Sequence, residues 1–199
     1  MKKILISPPD PFLDEVQVVN RLFSEGLEYF HVRKPDYNEQ NLREYIEAVS
    51  IEFRDRLILH QMYELVEEYQ LKGYHIKGNT KLSDRDKILS SAFFKSVACH
   101  TFEEVLSISK EVDYCFLSPV FLSISKKSYK PVYSIEDFKL FFKEHTYINN
   151  CIALGGICKE NVNLLKSIGF SGYALLGSVW QNNNSMDQIC ENFLTYNVI

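Results

Sequence analysis

Residues 93–110, FFKSVACHTFEEVLSISK, decide the fold. An apolar run of strand length comes first, then His100, then Thr101 at the head of a segment with helical period. Thr101 with Glu104 three places later is the signature of a capping box, in which side chains satisfy the first free backbone donors of a helix. The stretch is therefore one strand–helix unit with a histidine at its joint. That histidine is either a proton-transfer group at the mouth of a site or a loop residue bonded to backbone.

The same unit recurs along the chain. KILISP reads as a strand ended by Pro8 and Pro9, and a helix from Phe12 carries Leu13, Val16, Val19, Leu22 and Phe23 before Gly26 ends it. LEYFHVR is the second strand, and YNEQNLREYIEAVSIEF its helix, with Leu42, Tyr45, Ile46 and Val49 on one face. RLILH follows, with a helix carrying Met62, Leu65, Val66 and Tyr69. Gly73 opens the short strand YHIKG, whose helix near SDRDKILS is weakly patterned. AFFKSVA, DYCFLSPVF, NCIALGG and GYALLG supply four more strands. Their helices are the one from Thr101, SIEDFKLFFKE, KENVNLLKSIG and a closing helix over residues 185–196. Strands that alternate with helices imply right-handed crossovers and a parallel sheet. Eight such units predict a (β/α)8 TIM barrel of the α/β class, with an open doubly wound sheet as the alternative. No linker or low-complexity stretch divides residues 1–199, so one barrel domain is expected.

Bulk properties bound the function. The chain has 199 residues, 46% hydrophobic and 24% charged, with a formal net charge of -4. That balance gives no electrostatic footprint for nucleic acid or an anionic membrane. The N-terminal apolar run is too short for a signal segment or a membrane span. Five scattered cysteines without a CxxC pair read as reduced thiols of a cytoplasmic protein and not as a zinc site.

In a barrel of this kind the active site lies at the C-terminal strand ends. Those ends carry His31, Arg33 and Lys34; His60 and Gln61; His75 and Lys77; His100; residues 118–127; Gly155 and Gly156; and Gly177 and Ser178. Of the five histidines only His145 falls elsewhere. Imidazole changes charge near neutral pH and suits proton transfer, although any one of these could equally bond backbone. LGG and LGS at the last two strand ends form a phosphate-site pattern, because glycine lets backbone N–H groups approach the oxygens. Ser123, Ser125 and Lys126 add hydroxyls and an ammonium group in one loop, an anion grip or a solvated polar loop.

On these residues the chain resembles the thiamine phosphate synthase superfamily, which includes the TenI-type thiazole tautomerases. FHVRKP resembles the family's Q-x-R-x-K motif, with Arg33 matching, His31 replacing the glutamine and Lys34 one place early. ACHTFEEV resembles S-x-H-[ST]-x-E-E. DYCFLSPVFLSISK resembles D-Y-x-x-x-G-P-x-F-x-T-x-T-K, with Ser118 for the glycine. IALGGICKENV resembles I-G-G-I-x-x-E-N. The likeness runs from about Gly26 to the last strand and implies a small phosphorylated thiazole or pyrimidine substrate. It also suggests a homodimer, for which no stretch of sequence establishes an interface.

The superfamily holds two activities. The synthase joins hydroxymethylpyrimidine pyrophosphate to a thiazole phosphate, with Mg²⁺ held by an aspartate after strand three and another after strand four. Here the first position falls in His60-Gln61 and the second at Thr80, neither of which offers a carboxylate. The tautomerase aromatises a carboxylated thiazole phosphate without metal, through a histidine that matches His100. The sequence therefore favours a TenI-like tautomerase with His100 as acid/base and no cofactor. Gly155, Gly156, Gly177 and Ser178 would hold the phosphate, and Arg33, Lys34 and Lys126 would face a second anion. His31, His60 and His75 would line the substrate site. The alternatives are the synthase, with Mg²⁺, a non-catalytic ligand-binding homologue and an unrelated phosphate-using barrel.

Overall fold

Alternation along the strands sorts side chains into two cores. The computed structural model describes residues 1–78, 80–122, 131–180 and 185–196. Its strands are β1 (Lys2–Ile6), β2 (Tyr29–Val32), β3 (Leu57–Leu59), β4 (Gly73–Ile76), β5 (Phe94–Cys99), β6 (Tyr114–Leu117), β7 (Cys151–Ala153) and β8 (Gly172–Leu175). All pairings are parallel and run in sequence order, and β1 pairs with both β2 and β8, so the sheet closes. Closure excludes the open doubly wound alternative and gives the expected (β/α)8 barrel.

Successive residues of a strand face opposite sides. Ile4, Ile6, Ile58, Tyr114, Phe116, Ile152 and Ala174 form the cluster inside the barrel. Their neighbours Leu5, Leu57, Leu59, Cys115 and Leu117 face the helices and belong to the larger outer core. Parity then fixes three histidines. Phe30 and Val32 lie in the outer core, so His31 between them points inward, and Tyr74 and Ile76 place His75 inward in the same way. His60 follows outward-facing Leu59.

The helices are α1 (Glu15–Ser24), α2 (Glu39–Ala48), α3 (Glu64–Glu68), α4 (Leu82–Ser90), α5 (Phe102–Ile108), α6 (Ile135–Glu144), α7 (Leu164–Ile168) and α8 (Met186–Leu194). Five differ from the sequence reading; the third starts only at Glu64, after Met62 at φ 52, and the seventh only at Leu164, after a turn over residues 159–163. The first begins at Glu15 and not near Phe12, after Asp14 at φ 67, which leaves Leu13 86% exposed. The second stops at Ala48, and a 3-10 turn over Ile51–Arg56 follows it. The weakly patterned fourth does form, yet it buries only Ile88. All five cysteines are unpaired thiols. Among the described residues no helix is long and apolar enough to cross a membrane.

Candidate active site

The interior of the barrel is apolar on one side and polar on the other. On the polar side, His31 Nδ1 lies 3.0 Å from His60 Nε2, and His31 Nε2 is hydrogen-bonded to the Tyr114 hydroxyl. His75 stacks on His60 with ring centroids 4.1 Å apart. Its Nδ1 lies 2.9 Å from Ser96 Oγ, which donates to the Tyr74 carbonyl at 3.1 Å. His31, His60 and His75 are 0%, 5% and 3% exposed. They therefore do not stand at the open mouth as the strand-end reading had it, because inward parity encloses them.

Burial holds all three imidazoles uncharged. His31 and His60 lie well below the ordinary histidine range, through burial first and then through neighbouring imidazoles. His75 is lowered to about 3 by burial, then by the Lys77 and Arg33 charges. Those two cations are thus electrostatic neighbours of the cluster. Lys77 is itself lowered by burial and by Arg33. Arg33 is fixed through its backbone, since its N–H donates to Ser7 Oγ at 2.8 Å. Beside the cluster lies a cavity of about 330 Å³, lined by His60, Tyr63, Lys77, Thr80 and Asp84 among others.

Lys34 is a correction. It is 1% exposed, and its Nζ lies 2.6 Å from Glu15 Oε2 and 2.8 Å from the Pro8 carbonyl. An ammonium group enclosed in this way ties β2 to α1 and does not reach a substrate anion.

His100 stands exposed just past β5. Thr101 Oγ1 accepts from the Glu104 N–H at 3.2 Å, which is half of the expected capping box. The Glu104 carboxylate takes the His100 N–H at 2.5 Å, one residue earlier than the box requires. Its ring Nδ1 lies 2.9 Å from the Ser118 carbonyl oxygen. A carbonyl only accepts, so Nδ1 carries the proton and Nε2 the lone pair in the neutral ring.

The glycines serve the loops after β6 and β7. Gly156 has φ 68, and a Cβ there would meet the Leu122 carbonyl oxygen at 2.5 Å. The Val120 N–H donates to Leu154 O and the Phe121 N–H to Gly155 O, joining the two loops. Gly177 and Ser178 lie in a turn after β8, where the Leu176 carbonyl accepts from Val179 and Trp180. Ser123, Ser125 and Lys126 lie outside the described residues.

The donor set does not fit Mg²⁺, which requires carboxylate and water oxygens. Gln61 Nε2 donates to Lys34 O at 2.8 Å, and Thr80 Oγ1 accepts from the Lys77 N–H at 2.9 Å. Both side chains are committed to loop structure. Asp84, exposed on α4, shares its cavity with Lys77, Lys81 and Lys87.

Fold and site together define a (β/α)8 barrel with cationic and glycine-lined strand ends, a class suited to phosphorylated ligands. A family model described as thiamine monophosphate synthase matches residues 4–179, and the chain belongs to that family. It is 26% identical over 187 residues to a thiamine-phosphate synthase of Flavobacterium psychrophilum, covering 89% of this chain and 91% of that one. A thiamine-phosphate synthase of Bacteroides thetaiotaomicron is 25% identical over 148 residues, 68% of this chain and 71% of that one. Among solved structures, a thiamine phosphate pyrophosphorylase from Bacteroides thetaiotaomicron superposes with TM-score 0.84 at 26% identity, over 98% of this chain and 95% of that one. One from Pyrococcus furiosus gives TM-score 0.76 at 18% identity, over 98% and 94%, a likeness of fold alone.

Sequence reasoning missed Tyr114 and Ser96. Both were readable, because each alternates with outward-facing core residues of its strand, Val97 and Cys99 in β5 and Cys115 and Leu117 in β6.

Proposed function

We propose that the chain joins a pyrimidine pyrophosphate to a thiazole phosphate, the transferase activity named by its relatives. The observation that carries this reading is the coverage of nearly the whole barrel by thiamine-phosphate synthases. In that reaction the thiazole nitrogen takes the pyrimidine methylene carbon, and the carbon–oxygen bond to pyrophosphate breaks. Arg33 and Lys77 receive the charge that develops on the leaving group, as fixed cations beside a low-dielectric interior. Backbone N–H groups at Gly155, Gly156, Gly177 and Ser178 hold the thiazole phosphate. The unpaired thiols fit work in the reducing cytoplasm.

This reading displaces the tautomerase expectation as the first choice. A pyrophosphate-release assay with both substrates tests it. Release that requires both substrates and yields thiamine phosphate supports the transferase, and no release with either metal-supplemented or metal-free protein refutes it.

One observation favours the tautomerase as a second reading. The Ser118 carbonyl fixes His100 as the tautomer with its lone pair on Nε2, the form a general base requires. Under that reading His100→Asn keeps ligand binding and loses thiazole aromatisation. Binding without turnover of either kind would leave a non-catalytic homologue.

A further inference from the structure

We infer that His31, His60 and His75 form a binding site for a borderline divalent transition ion, of the zinc, cobalt and nickel class, inside the barrel. His31 sits on β2, His60 just past β3 and His75 on β4, and one ring nitrogen from each lies within 4.8 Å of the others. Three imidazoles with one open position is the donor set of such ions and not of Mg²⁺. Around a tetrahedral ion with metal–nitrogen bonds of about 2.0–2.1 Å, ligand nitrogens stand roughly 3.4 Å apart. The pair His31 Nδ1 and His60 Nε2, at 3.0 Å, needs only to open slightly.

The outer contacts match what a metal-binding histidine needs. A ligating imidazole turns its other N–H to an acceptor, which fixes tautomer and ring orientation. His31 turns Nε2 to the Tyr114 hydroxyl. His75 turns Nδ1 to Ser96 Oγ, whose own proton goes to the Tyr74 carbonyl. That leaves Nδ1 of His31 and Nε2 of His75 as the nitrogens available to an ion. Burial keeps the rings neutral, the state that binds metal. His60 also lines the cavity beside the cluster, which gives an ion a route in and a place for an open position. Arg33 and Lys77 oppose a bare dication there, so an anionic oxygen, such as a substrate phosphate, suits the fourth position.

The inference does not rest on the transferase reading, because its test reads metal uptake and not turnover. Protein stripped with EDTA and dialysed is titrated with cobalt(II) chloride and followed by visible absorption. The site predicts stoichiometric uptake with the intensified d–d bands of a low-coordinate imidazole centre. Zinc displaces the cobalt and millimolar magnesium does not. His75→Gln abolishes stoichiometric uptake. Ser96→Ala, which removes only an outer partner, weakens uptake about 10–100-fold. His145→Gln, at the end of α6, leaves it unchanged. Circular dichroism reports which variants are folded. No stoichiometric uptake by the unaltered protein overturns the site, and so does unchanged uptake by folded His75→Gln or, if that variant does not fold, by Ser96→Ala.

Discussion

His31 Nδ1 and His60 Nε2 face each other at 3.0 Å between two buried rings. One nitrogen of such a pair must carry a proton and the other a lone pair, so protonating both rings breaks the bond, and burial opposes a charge on either one. His75, stacked on His60 at 27° between ring planes, is bound by the same condition. Charging any ring would set a cation against close imidazoles, Arg33 and Lys77 in a low-dielectric interior.

Acid stability follows from that condition. The folded-state pKa of each ring lies below the ordinary 6.5, so as pH falls the unfolded chain takes up protons before the folded one does. The stability that neutral rings contribute is complete above about pH 6.5 and is lost progressively toward about 3, where His75 titrates. Urea midpoints of EDTA-treated protein should therefore decline from pH 7.5 to pH 5, and more steeply than those of His75→Gln. Parallel declines in the two proteins would contradict this.

Removing the Tyr114 hydroxyl leaves His31 Nε2 without that partner inside the barrel. Tyr114→Phe should lower unfolding free energy by about 1–3 kcal/mol in a urea titration. A change within experimental error would mean that the bond carries no weight.

The Lys34–Glu15 pair, at 2.6 Å and almost wholly enclosed, predicts a strong asymmetry between single and double variants. Lys34→Met alone leaves a buried carboxylate with the Tyr45 hydroxyl at 2.8 Å and the Phe12 backbone but no counter-charge, and should cost about 3–5 kcal/mol. Lys34→Met with Glu15→Gln should recover a large part of that loss. Additive losses would show that the two side chains act independently.

The barrel was legible because each strand–helix unit carried its own period, and the strand-end rule then named the three histidines that the structure gathers in the interior. What was lost was direction. His31 and His75 sit at strand ends in sequence, yet alternation with Phe30, Val32, Tyr74 and Ile76 turns them into the interior. Lys34 read as an anion contact because nothing local reveals that Glu15, on α1, reaches its ammonium group. The Mg²⁺ expectation turned on two residues, and the structure explains both: Gln61 and Thr80 brace loops. Leu13 misled the helix boundary, since Asp14 adopts a left-handed turn that a hydrophobic pattern does not announce.

Gly156→Ala places a side chain at φ 68 against the Leu122 carbonyl. Strain of this kind costs about 1–3 kcal/mol, which for a domain of this size lowers Tm by roughly 2–4 °C for each kcal/mol. Calorimetry showing an unchanged Tm would mean that the β6 and β7 loops relax around the added carbon.

Arg33→Gln should lower kcat/KM for the pyrimidine pyrophosphate about 10- to 100-fold while the protein stays folded, since a charge-assisted contact is worth about 1.5–3 kcal/mol. An unchanged kcat/KM would remove Arg33 from the anion site.

The most direct test of the transferase account is one incubation followed by proton and phosphorus NMR. The protein receives pyrimidine pyrophosphate, aromatic thiazole phosphate and the non-aromatic carboxythiazole phosphate tautomer, with zinc, cobalt and magnesium each supplied in separate samples. The account predicts thiamine phosphate and free pyrophosphate in at least one sample, dependent on Arg33. Aromatisation of the tautomer with no thiamine phosphate in any sample would contradict it and return the barrel to proton transfer at His100.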